Sequence, residues 1–191
     1  MYGMVAGRER AVKSAGLTRG RGHFDPQGIP SQNHGMEARA RFNVCGRIVI
    51  TRGDRVLMGK ETTPQDASWF MWETPGGGLR PGETLEQCLQ REALEEIGVG
   101  IRIRNEIPRF RSFADAATTP HDPGLHWLLV YCRCEPQGEP DLAHASDAEF
   151  AELRFVGQMD FRRLLGEGRI AKGERTFLSP IMVELGLWSP G

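Results

Sequence analysis

Nowhere in these 191 residues is there an uninterrupted apolar stretch of the ~20 positions that a membrane-spanning helix requires, nor the apolar core of a secretory signal. Membrane insertion and export are both unsupported, and a cytoplasmic protein is the expectation. Net charge is nearly absent: 24 Lys and Arg against 25 Asp and Glu leave −1. A chain so balanced has no general field to draw in a nucleic acid polymer or an anionic bilayer. Cysteine is scarce and unpatterned. The four, at 45, 88, 132 and 134, form no CxxC pair for zinc and are too sparse for a disulfide framework, so buried free thiols are expected. Cys132 and Cys134 would share one face of a strand as packing residues. Internal repeats are missing too.

What remains is enough for one core: 39% hydrophobic residues in a chain of this length predict a single catalytic domain. The first 36 residues differ from the rest. Arg8, Arg10, Lys13, Arg19 and Arg21 stand against Glu9 and Asp25, and residues 24–35 are rich in Gly, Pro, Ser, Gln and Asn. We expect a flexible basic tail over residues 1–36 and the folded domain over residues 37–191. The Arg-rich start also resembles an organelle transit segment, although serine is scarce and glycines break it up; Met36 is an alternative start.

Carboxylates are concentrated in one place. Residues 77–99, GGLRPGETLEQCLQREALEEIGV, hold Glu83, Glu86, Glu92, Glu95 and Glu96. On a helix, positions 92, 95 and 96 fall within an arc of about 100°, and like charges one turn apart repel by about 0.2–0.5 kcal/mol. A solvated acidic helix is the plain reading of such a run; a site for a hard divalent cation is the functional one. Three carboxylates on one side supply the oxygen ligands Mg²⁺ or Mn²⁺ prefers. Local signals frame the helix. Pro75-Gly76-Gly77-Gly78 and Pro81-Gly82 are turn-forming, and Thr84 with Gln87 reads as a capping box. Leu85, Leu89, Ala93 and Ile97 make an apolar stripe, and Gly98 is a stop. Glycines ahead of the helix allow close backbone approach, and Gly76 is the candidate to lend a carbonyl ligand.

Elsewhere the pattern is mixed strand and helix. Phe42 to Ile50, a turn at Gly53-Asp54, and Val56 to Gly59 predict a hairpin. Further strands are predicted at Trp69–Thr74, Ile101–Arg104, Ile107–Phe113, Leu125–Cys134 and Ala151–Val156. The near-continuous apolar run from Leu125 predicts a central strand buried on both faces. Two helices follow, at about Asp160–Leu165 and from Ser179 as N-cap with Pro180 as first residue.

The spacing Gly77, five residues, Glu83, seven residues, then Arg91-Glu92-Ala93-Leu94-Glu95-Glu96-Ile97-Gly98-Val99 resembles a complete Nudix box, the signature of the Nudix hydrolases. Trp72-Glu73-Thr74-Pro75-Gly76-Gly77 is similar to the lead-in common in that family. The resemblance implies an α/β (α+β) fold, an α/β/α sandwich with a mixed β-sheet between helices. It also implies metal-dependent hydrolysis of a nucleoside diphosphate linked to another group, with Mg²⁺ or Mn²⁺ as cofactor. On this resemblance the metal ligands are Glu92, Glu95, Glu96 and Gly76. Glu95 is also a candidate base, and Arg91 with Glu83 orients the carboxylates. A further acidic residue outside the box is expected, with Glu149 preferred over Asp147 and Glu152; His121 and His126 are lesser candidates.

Lys60, Arg80, Arg109 and Arg111 are candidate phosphate contacts, and Trp69, Phe70 and Phe113 candidate base-stacking residues. Residues 112–117 lack the proline of many ADP-ribose hydrolases and the tyrosine of many dinucleoside polyphosphate hydrolases. A compact MutT-type enzyme acting on nucleoside triphosphates, oxidised ones included, is therefore the leading subclass, with ADP-ribose or nucleotide-sugar hydrolysis as alternative. A non-catalytic nucleotide sensor would have little reason to keep the acidic cluster, and an isopentenyl diphosphate isomerase would show an altered box. The partner is a small nucleotide; a homodimer is allowed but not specified.

Overall fold

The computed structural model describes residues 41–63, 66–104, 109–114, 125–147 and 149–190. The tail expected over residues 1–36, its boundary at 37, and His121 lie outside them.

Strand β7 (Leu125–Pro136) is the organising element, as its apolar run predicts. It pairs in parallel with β1 (Arg41–Val49), from Arg41 opposite Leu125 to Val49 opposite Arg133. It pairs antiparallel with β6 (Arg109–Ala114) and β5 (Ile101–Ile103). The second sheet is built on β3 (Arg55–Thr63), antiparallel to β2 (Thr51–Arg52), β4 (Asp66–Glu73) and β8 (Phe150–Val156). The expected hairpin is therefore much shorter than predicted. Across the Gly53-Asp54 turn Thr51 and Arg52 pair with Val56 and Arg55, and Leu57 N–H donates to Ile50 C=O at 2.9 Å. The strand before Ile50 leaves β3 for β7, where both faces of β1 find apolar partners.

Alternation along the strands sorts the core into two layers. Ile48, Ile50, Leu57, Val130, Cys132 and Cys134 pack against Leu89, Ala93 and Ile97 of α1 (Leu85–Ile97). Cys45, Val49, Val56, Met58, Trp72, Leu129 and Tyr131 pack on the other side. They meet Phe161 and Leu164 of α2 (Gln158–Gly166) and Leu178, Ile181 and Met182 of α3 (Lys172–Glu184). The result is mixed sheets between helices, the fold class expected. All four cysteines are free and buried, Cys132 and Cys134 on the α1 side. Among the described residues no helix is long and apolar enough to cross a membrane.

The last helix departs from expectation. It begins at Lys172, and Pro180 lies inside it. Its start is set by the sheet: Trp72 N–H donates to Arg169 C=O at 2.8 Å and Ala171 N–H to Trp72 C=O at 3.0 Å, pinning the chain to β4 just before the first turn. Pro180 is tolerated because both it and Thr176, whose carbonyl loses its helical donor, are exposed.

Candidate functional site

Helix α1 starts and stops where its sequence says. Thr84 Oγ1 accepts from Gln87 N–H at 3.2 Å, and Gln87 Oε1 accepts from Thr84 N–H at 2.8 Å. Gly98 closes the helix in the left-handed region at φ 68°. The apolar stripe docks on the sheet and carries Glu92 and Glu96, one turn apart, into the interior, where they are 8% and 3% exposed. Leaving these carboxylates without strong partners would be costly.

Glu96 is held by the backbone, the other carboxylates by Arg91. Glu96 Oε2 accepts the Gly76 N–H at 2.7 Å. Arg91 Nη1 donates to Glu92 and, at 2.8 Å, to Glu95 Oε2. The rest of the Arg91 fork grips Glu83, Nε to Oε1 at 2.8 Å and Nη2 to Oε2 at 3.0 Å, and Nη2 also donates to Gly78 C=O at 3.1 Å. Arg80 Nη2 reaches Glu95 Oε1 at 3.3 Å. A planar guanidinium thus offsets much of the repulsion in the helix.

The electrostatics separate the members. Burial pushes Glu96 up to about 9, with the Gly76 N–H only partly offsetting it. Burial also raises Glu92, against the pull of Arg91. Hydrogen bonds from Arg91 and then from the Arg80 amide hold Glu83 down at about 2. Among the described residues no three His, Cys, Asp or Glu side chains converge into a ready-made metal cage. The donor chemistry nevertheless fits a hard divalent cation: two buried carboxylates one turn apart, a third beside them, all oxygen.

Two glycines are required here by shape. A side chain at Gly77 would place its Cβ 2.3 Å from Glu92 Oε1, and one at Gly76, where φ is 134°, would strike Gly46 O at 2.1 Å. The Gly76 carbonyl, the expected metal ligand, accepts from Arg47 Nη1 at 3.3 Å.

The charge of Glu149, the residue just ahead of β8, adds to the upward shift of both Glu92 and Glu61. Asp147 donates its N–H to Glu95 C=O at 2.8 Å. Glu152 is tied to Arg154 at 2.6 Å, and the His126 ring lies tilted against Phe42 with ring centroids 5.5 Å apart. Lys60 and Phe70 are engaged with each other, Nζ 4.5 Å from the ring centroid, and the Arg169 guanidinium lies 4.2 Å from the same centroid. By strand alternation Lys60 points opposite to Glu61, so that pair belongs to the other side of the sheet. Arg80, by contrast, stands at the site through Glu95. Arg109, Arg111 and Phe113 fall on β6, and Trp69 on β4.

Sequence reasoning missed Glu61, Glu73 and Arg47. Glu73 raises Glu96 and Glu61, and its Oε2 pairs with Arg47 Nη2 at 3.0 Å. The signal available was small: Glu73 belongs to the lead-in already singled out, and Arg47 is a cation in the middle of a largely apolar strand.

The fold has counterparts. A NUDIX hydrolase from Nitrosomonas europaea superposes with a TM-score of 0.61 at 20% identity, covering 78% of this chain and 93% of that one, which shows a shared fold. The RNA pyrophosphohydrolase of Photorhabdus laumondii is 29% identical over 122 residues, 58% of this chain and 66% of its own length. The nucleoside triphosphatase NudI of an Enterobacter species is 33% identical over 88 residues, 42% of this chain and 60% of its own. The chain thus spans at most about two thirds of the length of these two curated relatives. The family model described as the NUDIX domain matches residues 42–178, from the first sheet to the middle of α3, and the chain belongs to the Nudix hydrolase family.

Proposed function

We propose that this protein is a metal-dependent hydrolase of the pyrophosphate linkage in nucleoside diphosphate derivatives, with nucleoside triphosphates, oxidised ones included, as its leading substrates. The observation that carries this reading is the delivery of Glu92 and Glu96 by α1 into the interior against the Gly76-Gly77 turn. The curated names of the two relatives, a nucleoside triphosphatase and an RNA pyrophosphohydrolase, both describe cleavage in a polyphosphate chain and support the class.

Glu92, Glu95 and Glu96 would hold Mg²⁺ or Mn²⁺, with the Gly76 carbonyl as a further oxygen. When bound, the cation neutralises phosphate oxygens and lowers the pKa of water in its shell. Glu95, the most exposed of the three, would take the proton of the attacking water, with Glu149, whose charge acts on Glu92, as the other candidate base. Arg91, bridging Glu92 and Glu95 through Nη1, would orient both carboxylates while Glu83 holds the other edge of its guanidinium. Arg80, on the rim, can meet a phosphate without leaving Glu95 unneutralised, because Arg91 remains.

The test is product analysis with purified protein and Mg²⁺ or Mn²⁺. The panel holds nucleoside triphosphates, oxidised triphosphates, ADP-ribose, dinucleotides and nucleotide sugars. Metal-dependent release of a nucleoside monophosphate is expected. Glu96→Gln, whose amide oxygen still accepts from Gly76, should keep the fold and lower turnover by roughly 10²–10³-fold, the scale of one preorganised electrostatic group. Near-normal turnover in that variant would refute the metal assignment, and an intact panel would refute hydrolysis.

A further inference from the structure

The Gly76 turn is held from below by a group outside the box. Four successive carbonyls, from Thr74 to Gly77, are taken by three residues of β1. Ile48 N–H donates to Pro75 C=O at 2.7 Å and Gly46 N–H to Gly77 C=O at 2.9 Å. Main-chain donors on one edge of a strand recur only every second residue, so a strand cannot serve the carbonyls between these two. The Arg47 side chain does so: Nη1 donates to Thr74 C=O at 3.0 Å and to Gly76 C=O at 3.3 Å.

The guanidinium is itself fixed. Nη2 pairs with Glu73 at 3.0 Å, and Nε is buried without an acceptor among the described groups. From the α3 side, Glu174 Oε1 accepts from Thr74 Oγ1 at 2.5 Å and Glu174 Oε2 from the Tyr131 hydroxyl at 3.3 Å. Thr74 is thereby held by its carbonyl and by its hydroxyl, and the chain between Thr74 and Gly77 has little freedom left. Gly76, held at its carbonyl by Arg47, meets Glu96 through its N–H.

We propose that Arg47 is a positioning residue of the metal site: by bridging the Thr74 and Gly76 carbonyls it fixes the turn from which the Gly76 N–H pins Glu96. The inference rests on the function proposed above. Arg47 touches no substrate in this scheme and acts through the turn. Glu73 keeps the fork aimed, and Glu174 with Tyr131 braces Thr74. A lysine would keep the charge, but a single ammonium on a flexible stem cannot serve two carbonyls and Glu73 with the geometry of a planar fork.

The experiment uses the full chain as wild type, Arg47→Met and Arg47→Lys. Free Mn²⁺ is titrated by electron paramagnetic resonance without nucleotide, Gly76 amide exchange is read by NMR, and kcat and KM are measured separately. Arg47→Lys retains a cation beside Glu73 and guards against a failure of Arg47→Met to fold. Both variants should bind Mn²⁺ about 10–100-fold more weakly, the range for groups that orient metal ligands, with kcat lowered by a similar factor and KM within about threefold. The Gly76 amide should exchange faster than in wild type. Variants that melt earlier yet bind Mn²⁺ like wild type, with Gly76 exchange unchanged, would overturn the role of Arg47 alone. A wild type that binds no Mn²⁺ would overturn the function on which the inference stands.

Discussion

Helices α1 and α3 sit on opposite faces of the sheets, and each sends a buried glutamate to the same turn. Glu96 of α1 takes the Gly76 N–H, and Glu174 of α3 takes the Thr74 hydroxyl. The two helices are nonetheless made differently. Helix α1 has a complete capping box and a left-handed glycine at its end. Helix α3 has Ala171 as an N-cap residue that makes no side-chain cap, carries Pro180 within it, and owes its position to the clasp of residues 169–171 on Trp72 and to its apolar face. Local hydrogen bonds define the helix that carries the carboxylate cluster, whereas tertiary contacts define the helix on the other face.

The strongest test of this contrast is Glu174→Ala. It leaves the Thr74 hydroxyl and the Tyr131 hydroxyl unpaired in the interior, and urea unfolding should show a loss of about 3 kcal/mol. A loss under about 1 kcal/mol would mean that the turn is held from α1 and β1 alone. Next comes Thr84→Ala, which strips the cap from α1 and should cost about 1 kcal/mol by the same measurement. No loss would place α1 with α3 among helices held by packing only.

The smallest effect is the dependence on pH, where the two sides have opposite signs. Glu83, held at about 2 by Arg91 and Arg80, contributes stability that is present above its unfolded value of about 4.5 and disappears as pH falls towards 2. Glu174 is raised, first by burial and only partly pulled back by Arg47 and Thr74. Its contribution is full below the unfolded value and is lost as pH rises through the folded one. Unfolding followed from pH 2.5 to 8 should show Glu83→Gln flattening the acid limb and Glu174→Gln flattening the decline at higher pH. Equal slopes in the two variants would remove the distinction.

The sequence alone determined α1, from its capping box to Gly98, the carboxylates at 92, 95 and 96 with the Arg91–Glu83 pair, and the central place of β7. Each of these is written within a few neighbouring residues: a cap reaches three positions along, an apolar stripe repeats every turn, and a doubly buried strand must be apolar throughout. Only the tertiary structure decided the rest. The departure of β1 from its hairpin depended on β7, more than seventy residues downstream by register. The start of α3 depended on Trp72, and the separation of Lys60 and Phe70 from the acidic side depended on which face of β3 met which helix. Arg47 and Glu174 read as ordinary charges until the fold brings them to Thr74, across 27 and 100 residues of chain. A charged side chain is stable in an interior only when its partners are already there, and no local pattern records partners that far away.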